Sequence, residues 1–165
     1  LSILEESPTG ISASSDDVKY FMEEVYPHID NKQIFCIGSV GGEEKEQLVA
    51  NAKALLFPIN WQEPFGMAVI EAMACGTPVV AMERGSMSEI IEHGVNGYLA
   101  RDEAEFKYWL QRVDQIDPLD CHKSLSENFS IRRTAAGYLR AFKEITERCE
   151  TTKGAGVIRR KTLLN

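Results

Sequence analysis

The sequence predicts an α/β domain built on a parallel sheet, and three observations carry that expectation. Residues 34–37, 54–57 and 78–82 are short runs of almost wholly apolar residues, without the alternation of a half-exposed strand. That is the pattern of strands covered on both faces. Between them lie stretches with apolar residues at three- and four-residue spacing, the period of helices with one buried face. Strands alternating with helices imply βαβ units, and 165 residues with 44% hydrophobic content suit one soluble globular domain.

Taken in order, residues 7–15 are a loop by composition, rich in Ser, Thr, Gly and Pro. Asp16 or Asp17 can cap a first helix, and Val18, Met22, Val25 and Ile29 give it an apolar face expected to be buried. Pro27 should bend that helix or end it. Residues 34–37, closed by Gly38, read as the first strand. Residues 43–53 read as a helix with Leu48 and Val49 inward, and residues 54–57, stopped by Pro58, as the second strand. A third helix runs from Gly66 to Ala74 and ends at Gly76 in the manner of a C-cap. Residues 78–82 form the next strand, residues 87–92 a short helix, Asn96 and Gly97 a turn, and residues 98–100 a last strand. The final third reads as helices over 102–115, 119–128 and 131–149, with Leu139, Phe142 and Ile145 as an apolar stripe. A single domain over residues 1–149 and a flexible tail over 150–165 complete the expected organisation.

Composition narrows the partners. A net charge of -7 disfavours a nucleic-acid binder, which needs an excess of Lys and Arg. No apolar run approaches the roughly 20 residues of a membrane-spanning helix, and residues 1–6 lack a basic, then apolar, leader pattern. Cys36, Cys75, Cys121 and Cys149 form no CxxC pair, and His28, His93 and His122 join them in no ligand pattern. The cysteines are expected to be reduced thiols of a cytoplasmic protein, Cys36 and Cys75 as small core fillers, and no metal is expected.

Ligands of parallel sheets bind at the carboxyl ends of the strands, which directs attention to the segment after Phe57. Gly66 opens a helix just past a strand, so backbone N–H groups there suit an anion such as a diphosphate. Glu63 in the entering loop and Glu71 in the helix could both accept hydrogen bonds from sugar or ribose hydroxyls. On spacing alone, a solvated loop carboxylate and an exposed helix residue are the simpler readings of this pair, because short matches arise by chance. Phe65, Met67, Ile70 and Met73 read as core on either view.

The wording of the segment goes further. Glu63-Pro64-Phe65-Gly66 and Glu71-Ala72-Met73-Ala74-Cys75-Gly76-Thr77-Pro78-Val79-Val80 resemble the E-x7-E signature of family 4 retaining glycosyltransferases. So do Gly41-Gly42-Glu43-Glu44-Lys45, Ala50-Asn51-Ala52, Phe57-Pro58-Ile59, Arg84-Gly85-Ser86 and Gly94-Val95-Asn96-Gly97. The resemblance covers roughly residues 16–142. It implies a Rossmann-like, three-layer domain, the second domain of a GT-B fold. The implied reaction is hexosyl transfer from a nucleotide-diphosphate sugar with retention, without a metal or other cofactor. Glu63 would hold hydroxyls of the transferred sugar and stand as the catalytic residue. Phe65, Gly66, Met67 and Ala68 would offer backbone N–H groups to sugar and diphosphate, and Glu71 would accept the ribose hydroxyls. Gly38, Ser39 and Val40 would lie near the base.

Two departures from the family pattern stand out. Ser88 replaces the proline frequent before the glutamate matching Glu89, a change expected to be neutral because Ser also suits a helix start. Larger is what the chain does not carry. The acceptor domain has no counterpart, and of the strand, Arg/Lys loop and helix that usually open the donor domain only residues 1–4 resemble a remnant. No basic residue precedes Lys19. The chain is therefore expected to be the donor-binding part, truncated at its N-terminus and completed by an acceptor domain or another chain. The alternative is a nucleotide-sugar-binding or interaction module without chemistry; an epimerase of the same fold fits the wording less well.

Overall fold

The computed structural model describes residues 15–161, with side chains over 16–149. The remnant strand at residues 1–4 and all but Ser15 of the first loop lie outside these residues. The chain divides into two compact units, one ending at Leu48 and one beginning at Val49.

In the N-terminal unit, α1 (Ser15–Tyr20) runs into a π turn over Phe21–Val25 and a 3-10 turn over Tyr26–His28. Pro27 accounts for this ending, since it has no N–H to continue the ladder. The apolar face of this helix is a correction to the sequence reading. Val18, Met22 and Val25 are each 37% exposed, and no residue over 16–48 is buried. The strand expected over residues 34–37 is also absent. Asp30 Oδ1 accepts the amides of Lys32, Gln33 and Ile34 at 2.8–2.9 Å, and Asn31, at φ 53°, donates its amide to the Ile34 carbonyl. Both backbone groups of Ile34 are thus spent on a turn and cannot enter a ladder. The three amides hold the Asp30 carboxyl below its ordinary range, that of Ile34 most strongly. Ile34, Phe35 and Ile37 are exposed, and so is Cys36, which fills no core.

The second unit holds the sheet. β1 (Leu55–Phe57), β2 (Val79–Met82) and β3 (Gly97–Ala100) are parallel in the order β1-β2-β3. Leu55 pairs with Val79, and Val79 in turn with Gly97. Val79, Val80 and Ala81 of the central strand are wholly buried, each valine contributing about 1.5–3 kcal/mol of apolar transfer. The helices around the sheet are α3 (Met67–Ala74), packed on β1, β2 and α6 (Pro118–Asn128), and α5 (Glu103–Leu110), packed on β2 and β3. A short α4 (Met87–Ile90) follows β2. α2 (Gly42–Ala50) crosses the boundary between the units; Val49 packs on the core, but Leu48, expected inward, is 48% exposed.

Local chemistry fixes the ends of these elements. α3 stops in a Schellman motif: Thr77 donates its amide to the Ala72 carbonyl at 2.9 Å and Gly76 to Met73 at 3.0 Å, with Gly76 at φ +77°. Asp102 and Asp117 cap α5 and α6 by accepting the amides of Glu105 and Leu119. Asn96 lies in the expected turn and is also a hub. Wholly buried, it donates to the Ile90 carbonyl and Ser124 Oγ and accepts from the Glu92 amide, tying the β3 entrance to α6. Cys121 packs beneath it, and burial pushes its thiol up to about 11. The last helix, α7 (Ile131–Lys161), runs past the expected end at Cys149, and its stripe of Leu139, Phe142 and Ile145 is 57–69% exposed.

Two glycines should respond in opposite senses. A Cβ at Gly97 would collide with the Val79 carbonyl of β2, whereas one at Gly137 in α7 would meet nothing. Thermal or denaturant unfolding should show Gly97→Ala destabilised by about 1–3 kcal/mol and Gly137→Ala stabilised by about 0.5–1 kcal/mol. The hydrogen-bonded Arg101 guanidinium pulls the Glu105 carboxyl from 4.5 down to about 2. Because the folded value is depressed, this pairing favours the fold at ordinary pH and is lost as pH falls through about 2. Titration of the Glu105 carboxyl carbon by NMR should show Arg101→Ala moving its midpoint upward.

Candidate functional site

Two loops leave the carboxyl ends of adjacent parallel strands, residues 58–66 after β1 and residues 83–86 after β2. They are tied to each other by two backbone amides of the second loop. Gly85 donates its amide to Gln62 Oε1 at 2.6 Å, and Ser86 donates its own to the Glu63 carbonyl at 2.9 Å. Gly85 has φ +56°, and a Cβ there would lie 2.5 Å from the Glu63 amide nitrogen. Only glycine meets both demands, a left-handed backbone and an approach this close. Beneath, Met87 is wholly buried, and its Cε lies 2.6 Å from where a Gly66 Cβ would stand.

Held this way, the first loop folds around its own carboxylate. Glu63 Oε1 accepts the amides of Gly66 at 3.0 Å and, more weakly, Phe65 at 3.4 Å. Glu63 Oε2 accepts the indole N–H of Trp61 at 3.0 Å. Gly66 is therefore the N-cap of α3 rather than its first residue, left-handed at φ 83°. Its carbonyl receives the amides of Val69 and Ile70. The amides of Met67 and Ala68, in the first turn, have no acceptor within the helix. Both residues are exposed, at the positive end of the helix dipole. Glu71, half-buried, lies one turn on from Met67 along the same helix face.

The structure thus brings Glu63, Phe65, Gly66, Met67, Ala68 and Glu71 into one loop-and-helix segment. Gly38, Ser39 and Val40 belong to the N-terminal unit, in a stretch without regular structure where Gly38 takes φ +69°. Met73 is buried and Ile70 half-buried, as expected, but Phe65 and Met67 are 46% and 59% exposed. The reason is the left-handed Gly66, which turns the chain so that Val69, Ala72 and Met73 form the inner face of α3. The contribution of Gln62, Trp61 and Gly85 is invisible to spacing, because the Gln62–Gly85 contact joins positions 23 residues apart. Of the three, Gly85 is marked in the sequence by the Arg84-Gly85-Ser86 wording. Among the described residues, no group of three or more His, Cys, Asp and Glu could hold a metal ion, and no helix is long and apolar enough to cross a membrane.

The model of the family described as glycosyl transferases group 1 matches residues 12–116. An uncharacterized glycosyltransferase of Methanocaldococcus jannaschii is 37% identical over 88 residues, 53% of this chain and 22% of the relative. A probable sucrose-phosphate synthase of Thermosipho melanesiensis is 38% identical over 80 residues, 47% of this chain and 19% of the relative. The chain thus matches about a fifth of the length of these relatives. Among solved structures, Anabaena HepE in complex with UDP-glucose has a similar fold, with a TM-score of 0.62 at 21% identity over 82% of this chain and 39% of HepE. With the family model spanning more than half of its residues and a parallel α/β sheet beneath them, this chain belongs to the group 1 glycosyl transferases.

Proposed function

We propose that the chain is the donor-binding part of a family 4 retaining glycosyltransferase of the GT-B type, which transfers a hexosyl group from a nucleotide-diphosphate sugar. One observation carries the reading. The uncommitted amides of Met67 and Ala68 stand at the start of α3, just beyond the carboxyl end of a parallel strand, with Glu63 and Glu71 on either side.

In this reading the diphosphate sits over the Met67 and Ala68 amides. The helix dipole favours the negative charge that grows there as the bond to the sugar breaks. Glu71 accepts the two ribose hydroxyls, and Glu63 accepts hydroxyls of the transferred sugar. The amides of Phe65 and Gly66 donate to Glu63, so any contact they make with the sugar exchanges that carboxylate for a sugar oxygen. Gly38, Ser39 and Val40 are assigned to the base by motif position. No step runs through a metal. The acceptor, and the groups that bind it, belong to a further domain or a second chain.

Calorimetric titration of the folded chain with UDP-, GDP- and ADP-glucose tests this. One nucleotide class should bind, and Glu71→Gln should weaken it by about tenfold, the cost of a lost charged hydrogen-bond acceptor. A folded chain that takes none of the three, or an unchanged affinity in Glu71→Gln, contradicts the proposal. UDP-glucose is the first arm to run, being the ligand named for HepE.

A further inference from the structure

Trp61 lies in the strand-exit loop, is 56% exposed, and is engaged through the one polar atom it has. Its indole N–H donates to Glu63 Oε2 at 3.0 Å while the amides of Gly66 and Phe65 hold Oε1 from the other side. A carboxylate gripped at both oxygens cannot rotate without losing a charge-assisted bond. Each carboxylate oxygen has about two lone-pair sites, so Oε2 keeps acceptor capacity after Trp61 has taken its share. Ser86 holds the Glu63 carbonyl and Gly85 holds the neighbouring Gln62 side chain, so of the donors to the carboxylate itself the indole is the one contributed by a side chain.

We infer that Trp61 is a positioning residue: it orients the Glu63 carboxylate to accept a hydroxyl of the sugar and so biases the site toward nucleotide sugars over bare nucleotide diphosphates. This rests on the reading of Glu63 as the sugar contact. Trp61 acts only through that carboxylate. The Met67 and Ala68 amides assigned to the diphosphate do not depend on it, so the two halves of the ligand should separate in their response. Trp61→Phe keeps an aromatic ring and removes the N–H.

Calorimetry with UDP-glucose and with UDP, or with whichever nucleotide the wild-type chain takes, should show Trp61→Phe weakening the nucleotide sugar about tenfold and leaving the bare diphosphate unchanged. In a Glu63→Gln background the same substitution should cost little more. Equal weakening of both ligands indicates general damage and overturns the inference, as does no weakening of either. A wild-type chain that binds no nucleotide sugar overturns the donor-site reading itself and the selectivity drawn from it. The grip has its own readout. The chain has 2 tryptophans, so indole 15N–1H resonances are readily assigned. Glu63→Gln should shift that of Trp61 and spare that of Trp109, and a Trp61 resonance indifferent to Glu63 contradicts the assignment.

Discussion

The candidate site depends on one close approach, the backbone of Gly85 laid against the backbone of Gln62 and Glu63. Two loops leaving neighbouring parallel strands would otherwise be independent, free to sample many conformations at the entropic cost loops carry. The Gly85 and Ser86 amides make them one body. That fixes the Glu63 carbonyl and, through it, the side chain that caps Gly66. Gly66 in turn sets where α3 begins and which of its amides remain uncommitted. The chain of dependence runs from a missing Cβ to the placement of the first turn of α3.

The sheet beneath is small, and its precision comes from the ends of elements rather than from length. β1 and β2 are three and four residues long. The Schellman close of α3 delivers the chain into β2, and Thr77 Oγ1 donates to the Val49 carbonyl at 2.7 Å at the same point. At the other end of the sheet, Asn96 spends its side-chain amide on Ile90, Glu92 and Ser124, so that β3 enters beside β2 with Gly97 touching Val79. A buried amide with its groups satisfied specifies geometry in a way that an apolar contact of equal size does not.

Much of this was legible in the sequence because the signals were local. Apolar runs located β1 and β2, Gly76 located the end of α3, and the wording from Glu63 to Val80 pointed to a glycosyltransferase, in keeping with the group 1 family to which the chain belongs. Legibility failed where the deciding contact was distant or where a pattern had a second use. The run at residues 34–37 has the composition of a strand, but Asp30 and Asn31 take the backbone of Ile34 for a turn. Val18, Met22 and Val25 keep helical spacing without a buried face, because periodicity says which side of a helix is apolar and not what covers it. Asn96 lies in the expected turn, but its burial as a hub and the start of β3 at Gly97 could not be read from the dipeptide. The grip on Glu63 by Trp61, and the bond of Gln62 to Gly85, rest on side-chain placement and a contact 23 residues apart, which local patterns do not carry.

The most direct test follows backbone amide resonances during titration with UDP-glucose. The Met67 and Ala68 amides should shift most, Gly66 should shift as its partner Glu63 is perturbed, and residues of β3 and α6 should stay in place. Shifts confined to regions away from Glu63 to Glu71, or saturable binding that leaves Met67 and Ala68 unmoved, would contradict the claim that the uncommitted end of α3 is the donor site.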